Sequence, residues 1–172
     1  MYSLKIKFAL VALIISGIGF SQLYARKHTK SETAGDVLQI TIPVSALIVA
    51  FSKDDTEGMK QLFYSVAAST AVTWGLKLAV NKKRPRGGKY SFPSGHTSLA
   101  FSGASFLGMR YGCAYGVPAV GVASYVGYSR VQAKRHDWAD VIGGAVIGGL
   151  SSYVFTTTFD QNKTQKKTNS DK

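Results

Sequence analysis

The chain has 172 residues, 45% of them hydrophobic, enough for one domain with a helical core, and no second domain needs to be invoked. Its 21 lysines and arginines against 9 acidic residues give a formal charge of +12, which calls for an anionic partner; no nucleic-acid-binding motif accompanies the basic residues, so phosphate groups or an anionic membrane rank ahead of nucleic acid. The single cysteine, Cys113, excludes an intramolecular disulfide and zinc sites built from paired cysteines, and between Gly112 and Ala114 it reads as a small packing residue.

In chain order, residues 1–25 set Lys5 and Lys7 ahead of an apolar run from Phe8 to Phe20, the build of a signal peptide or a short first membrane helix. Arg26, Lys27 and Lys30 just beyond favour the uncleaved helix. Residues 26–35, with a solvated His28, read as a polar loop, 37–51 as an apolar helix and 53–58 as a charged turn. Residues 59–80 make a buried or membrane helix that carries Lys77 at its carboxyl end. The stretch 81–92 holds Lys82, Lys83, Arg84, Arg86 and Lys89 around Pro85 and the pair Gly87-Gly88; it cannot continue a helix and must be an exposed basic loop. Helices follow at 94–110 and 117–128, joined by a tight turn at 111–116. The last helix is expected over 138–159, where Gly144 and Gly148 are spaced for close helix contact. The expected division is thus a leader or first helix at 1–25, a helical domain at 26–159 and a polar, disordered tail at 160–172.

Two helices joined by a short turn bring the loop before Ser94 and the loop after Tyr128 to the same side. The chain there reads Ser129-Arg130-Val-Gln-Ala-Lys-Arg-His136-Asp-Trp-Ala-Asp140. If a helix begins near Asp137, His136 and Asp140 fall four residues apart on one face, and the carboxylate can accept a hydrogen bond from one ring nitrogen while the other stays available. Upstream stand Lys77-x6-Arg84-Pro85 and Pro93-Ser94-Gly95-His96.

These three motifs, complete and in order, resemble the type 2 phosphatidic acid phosphatase superfamily, whose members share a helical core with bacterial acid phosphatases and vanadium haloperoxidases. The resemblance implies an all-α, membrane-associated bundle of about five to six helices. It also implies a metal-independent phosphatase without a cofactor, acting on a phosphorylated membrane lipid such as lipid A, undecaprenyl diphosphate or a glycerophospholipid phosphate. By the same resemblance His136 is the nucleophile that forms a phosphohistidine, Asp140 fixes its tautomer, and His96 protonates the leaving alcohol. Lys77, Arg84 and Arg130 hold the phosphoryl oxygens, Ser94 supplies a hydroxyl and Gly95 admits the ligand close to the backbone. Lys82, Lys83, Arg86, Lys89, Lys134 and Arg135 are left as a basic rim.

Crossings counted from a cytoplasmic start put the site on the outer, periplasmic side of a bacterial inner membrane. The basic outer loop runs against the positive-inside tendency, a conflict that either phosphate-binding charge or an inverted topology would explain. Three other readings stay open: a soluble periplasmic acid phosphatase if the first segment is cleaved, a vanadium-dependent haloperoxidase, and a lipid-binding membrane protein without turnover.

Overall fold

Between its turn-forming residues the chain folds as helix alone. The computed structural model describes residues 30–160, and the described residues contain five helices and no strand: α1 (Lys30–Ser52), α2 (Thr56–Val80), α3 (Gly95–Tyr111), α4 (Cys113–Gln132) and α5 (Trp138–Phe155). The expected first segment, residues 1–25, and nearly all of the polar tail lie outside the described residues.

Several boundaries differ from the sequence reading; α2 starts at Thr56, inside the expected turn at 53–58, and α4 runs on to Gln132, so Ser129 and Arg130 stand in its last turn. Helix α1 begins at Lys30, so the described part of the expected loop at 26–35 is helical; Glu32 in it and Asp36 just after it are buried against arginines of the α4 end, a tertiary pairing that local polarity does not reveal. Only Gly112, at φ 91°, separates α3 from α4, so the expected turn at 111–116 shrinks to one residue that tolerates the left-handed region. Cys113 then opens α4 and is exposed, which overturns its reading as a packing residue. Helix α5 ends at Phe155, because the β-branched run Thr156 to Thr158 leaves the helix and is held by Arg110, whose Nη1 donates to Thr157 O at 2.7 Å.

Helix α3 is the hub and packs against the other four. Small residues set how closely the helices approach. A Cβ on Gly144 would lie 2.5 Å from Ser94 O, and one on Gly148 would lie 2.4 Å from Ser98 O, so α5 rests on the backbone of α3 through the two glycines singled out by spacing. Gly103 likewise seats Pro43 of α1, and Gly116 seats Gly108.

The interior is strikingly unlike that of a water-soluble bundle in its chemistry: beside Ile42, Ala100, Ala104, Phe106 and Val126 it buries Ser65, Ser69, Thr73, Ser98, Ser102 and Ser152. Thr73 and Ser98 share a hydrogen bond at 2.8 Å and Ser152 Oγ donates to Ser102 O at 2.6 Å, both between helices, while Ser65 and Ser102 donate to carbonyls of their own helices. The large apolar side chains face outward instead, among them Ile48, Phe63, Trp74, Leu78, Val117, Ile142, Leu150 and Val154. Helices α1 and α5 are long and apolar enough to cross a membrane.

Successive helices run up and down, so the starts of α1, α3 and α5 and the ends of α2 and α4 gather at one end. The opposite end is closed by a clasp in which Asp55 caps α2 and accepts from Arg110 Nε at 2.7 Å, Arg110 Nη2 at 2.6 Å and Tyr111 Oη at 2.8 Å.

Replacing Gly148 with alanine forces a methyl onto backbone atoms that cannot yield, and is expected to cost about 1–3 kcal/mol in detergent-solubilised thermal unfolding. Gly149→Ala, whose Cβ would meet only Ser105 Oγ at 3.7 Å, should be neutral by comparison.

Candidate active site

At the end where five helix termini meet, the start of α5 does two jobs at once. Asp137 caps the helix, its Oδ1 accepting from Asp140 N at 3.0 Å while Asp140 Oδ2 accepts from Asp137 N at 3.1 Å. This reciprocal box fixes the fully buried Asp140 under the imidazole of His136, with Oδ2 3.3 Å from Nδ1. The same carboxylate accepts from Ser91 Oγ and, at 2.9 Å, from Lys82 Nζ, which also reaches Asp137 at 2.5 Å. Ser91 Oγ lies 3.4 Å from His136 Nδ1 as well. Both neighbours of Nδ1 can accept its proton, which leaves the lone pair on Nε2.

His136 is 4% exposed, and burial together with the nearby charges of Lys77 and Arg84 pushes its pKa down to about 3, Asp140 opposing the shift. The ring is therefore neutral at ordinary pH, the state in which an imidazole is nucleophilic. The charge of His96 also acts on this ring, so the two imidazoles share one end of the bundle and one electrostatic neighbourhood.

His96, in the first turn of α3, brings Nε2 to 2.9 Å from Asp36 Oδ1. Arg130, at the end of α4, donates from Nη1 to the same oxygen at 2.5 Å, from Nη2 to Glu32 O at 2.5 Å and from Nε to Ser129 Oγ at 3.1 Å. A guanidinium has five N–H groups. Three are engaged, and one remains on each terminal nitrogen.

Arg84 sits in the basic loop, where Gly87 and Gly88 at φ 99° and 95° let the chain turn back so that Arg84 N donates to Gly88 O at 3.0 Å. Its charge acts on Lys77, His96 and His136 alike. Arg86 N donates to Lys134 O at 2.9 Å and ties this loop to the one before α5.

Two expected phosphate ligands are used otherwise here. The ammonium of Lys77 is buried and donates to Tyr90 O at 2.8 Å and Pro93 O at 2.6 Å, so it holds the loop's carbonyls and reaches the site through its field. Ser94 is the N-cap of α3: its Oγ accepts from Thr97 Oγ1 at 2.9 Å and from Thr97 N at 3.4 Å. A Cβ on Gly95 would make only ordinary contacts, 3.7 Å to Thr73 and 3.8 Å to Lys77, so the protein's own packing does not require glycine there.

Asp36, Glu32 and Ser91 escaped the sequence reading, and Lys82 was left in the basic rim. The available signal was the pair Glu32 and Asp36, one helical turn apart beside an apolar run, in a chain with 9 acidic residues. Arg135, assigned to a solvated rim, instead donates to Glu32 Oε1 at 2.7 Å.

A family model described as the PAP2 superfamily matches residues 58–164. The chain is 30% identical over 140 residues to a lipid A 4'-phosphatase of Helicobacter pylori, covering 74% of this chain and 70% of that protein. It is 30% identical over 131 residues to a lipid A 1-phosphatase of Porphyromonas gingivalis, covering 72% of this chain and 29% of that much longer protein. Among solved structures, Aquifex aeolicus LpxE superposes with a TM-score of 0.63 at 24% identity, over 78% of this chain and 90% of that one. A transmembrane PAP2-type phosphatidylglycerolphosphate phosphatase from Bacillus subtilis gives 0.60 at 22% identity, over 90% and 94%. At these identities the two structures establish a shared helical fold.

The depressed pKa of His136 has a consequence for stability. Below the ordinary value of 6.5 the unfolded chain takes up a proton that the folded protein refuses until about pH 3. The stability tied to this group is complete above pH 6.5 and is lost as pH falls, at up to about 1.4 kcal/mol per unit. Thermal midpoints of the wild type should therefore drop more steeply on acidification below 6.5 than those of His136→Asn.

Proposed function

The chain belongs to the PAP2 superfamily and is a phosphoric ester hydrolase of its lipid phosphatase kind; from that premise we propose that it hydrolyses the phosphate of a membrane lipid through a phosphohistidine at His136, without a metal. The observation that carries this reading is a neutral, buried His136 with Nδ1 on the Asp140 carboxylate, in the field of Lys77 and Arg84 and beside His96.

In the first step His136 Nε2 attacks phosphorus in line with the leaving oxygen. The P–O bond to the lipid breaks as the N–P bond forms, and His96 gives the departing oxygen its proton. Asp140 keeps the Nδ1 proton in place and offsets the positive charge that the ring acquires. Arg84 and the two remaining N–H groups of Arg130 neutralise the non-bridging oxygens, with Lys77 adding its charge from behind the loop. Gly95 leaves the start of α3 open to the phosphoryl group, and the first-turn amides favour an anion there. In the second step His96, now neutral, takes a proton from water as that water attacks phosphorus. Inorganic phosphate leaves, and both imidazoles return to their starting states.

A lipid substrate agrees with the inside-out distribution of side chains, which suits a bundle whose outer surface meets hydrocarbon. Relatives named as lipid A phosphatases make lipid A the first substrate to try. The basic loop beside the site suits an anionic head group, and that phosphate-binding demand accounts for basic charge on an outward-facing loop of a bacterial inner membrane, against the positive-inside tendency.

Purified protein is expected to release phosphate from lipid A, undecaprenyl diphosphate or phosphatidic acid with chelator present, to be inhibited by vanadate, and to lose turnover in His136→Ala. Unaltered turnover in that variant removes the assigned nucleophile. Orientation is open to a separate test because Cys113, the only cysteine of the chain, opens α4 at the end opposite the site. In intact spheroplasts a membrane-impermeant maleimide should spare Cys113 and should label a cysteine placed at Lys89 in a Cys113→Ala background; the reverse pattern would establish an inward-facing site.

A further inference from the structure

Each imidazole of the site has its own carboxylate, and the second of these comes from outside the motifs. Asp36 lies on α1, ahead of the stretch 58–164 matched by the family model. One of its oxygens, Oδ1, faces His96 Nε2 at 2.9 Å and accepts from Arg130 Nη1 at 2.5 Å. We propose that Asp36 is a positioning residue of the reaction, fixing His96 and Arg130 relative to each other and keeping on His96 the proton that the departing lipid oxygen needs. The proposal rests on the roles of His96 and His136 given above.

The seat of α1 shows that this contact is built in. A Cβ on Gly35 would stand 2.0 Å from Ser129 Oγ and 2.6 Å from Arg130 Nη2, so only a glycine lets α1 come this close to the end of α4. One turn earlier, Glu32 accepts from Arg130 Nη2 through its backbone oxygen and from Arg135 Nε through its side chain. Asp36 is thereby presented from a helix whose preceding turn is anchored on the end of α4 and the loop after it.

The electrostatics define the task. A general acid must hold its proton until the leaving oxygen claims it. The groups around His96 are Arg130 from α4, Arg84 from the basic loop, His136 from the loop before α5, and Lys77 of α2, whose Cε approaches Gly95; every one is cationic or can become so. Asp36 is the carboxylate that faces the ring from α1, and a carboxylate on one ring nitrogen stabilises the imidazolium. With the Nε2 proton on Asp36, Nδ1 is the nitrogen that gives its proton to the lipid oxygen and later takes one from the attacking water. The Nε2–H bond to Asp36 persists through both steps, so the proton count closes without any other donor.

The test uses full-length protein in detergent micelles with lipid A as the probe, measuring kcat and KM against pH for wild type, Asp36→Asn, Asp36→Glu, His96→Ala and the Asp36→Asn/His96→Ala pair. Asp36→Asn, which keeps the shape and removes the charge, is expected to lower kcat by about ten- to a hundred-fold. It should move the alkaline limb of the kcat profile to lower pH, leave KM nearly unchanged, and cost clearly less in the His96→Ala background, where only its hold on Arg130 is left to lose. Asp36→Glu restores the charge and should return part of both kcat and the limb, giving a second reading should the asparagine variant not fold. An unmoved limb in whichever variant folds, or a loss that adds in full to that of His96→Ala, overturns the proposal. So does a rise in kcat/KM, which would make Asp36 a competitor for the phosphate. Wild-type turnover in His96→Ala would instead overturn the reading of His96 as the acid, and this proposal with it.

Discussion

The site depends on one buried carboxylate. Asp140 closes the capping box that starts α5, accepts the Lys82 ammonium and the Ser91 hydroxyl, and stands beneath His136. A carboxylate with no exposure to water has to be paired, and here the partners that neutralise it are the groups that need orienting. Helix initiation, the loop before α3 and the imidazole tautomer therefore stand or fall together. Through the hydrogen bond from Ser94 N to Asp140 O at 2.9 Å, the starts of α3 and α5 are joined directly.

Beneath this end, the bundle is held by short-range contact between small residues. Gly144 and Gly148 set α5 on the backbone of α3, and serine and threonine hydroxyls bridge α2, α3 and α5 where a soluble bundle would bury leucine and phenylalanine. Packing of this kind does not rely on expelling water from between large apolar surfaces. It suits a setting in which the outward-facing isoleucines, valines and tryptophans are already covered by lipid tails, and it spares the limited supply of large side chains for that outer face.

Much of this was legible in the sequence, and what was not has a physical reason. The four-residue step from His136 to Asp140, the break imposed by Pro85 and Gly87-Gly88, and the glycine spacing in α5 are local patterns, and each fixed its piece of structure. Lys77 and Ser94 were located correctly at helix ends, but their present partners, the carbonyls of Tyr90 and Pro93 and the Thr97 hydroxyl, depend on how the loop folds back and on a cap. Glu32 read as loop, and Asp36 as the boundary before the helix, because polar residues near a chain turn usually are. Their helical spacing was the one local hint, and the arginines that pair with them stand 94 and 103 positions away, which no local pattern encodes. Lys82 was taken for rim charge because nothing in its neighbours shows that two carboxylates wait across the gap.

The basic loop is moored by Ser91 N to Lys82 O, Arg86 N to Lys134 O, the Lys77 ammonium on Tyr90 O and Pro93 O, and the Lys82 and Ser91 side chains on the carboxylates before and within α5. None of these moorings uses the side chain of Lys83, Arg86 or Lys89, so those three bear little of the architecture. That makes the segment an exchangeable cassette: new head-group preferences could be grafted there, by nature or by an engineer, while the machinery underneath keeps its shape.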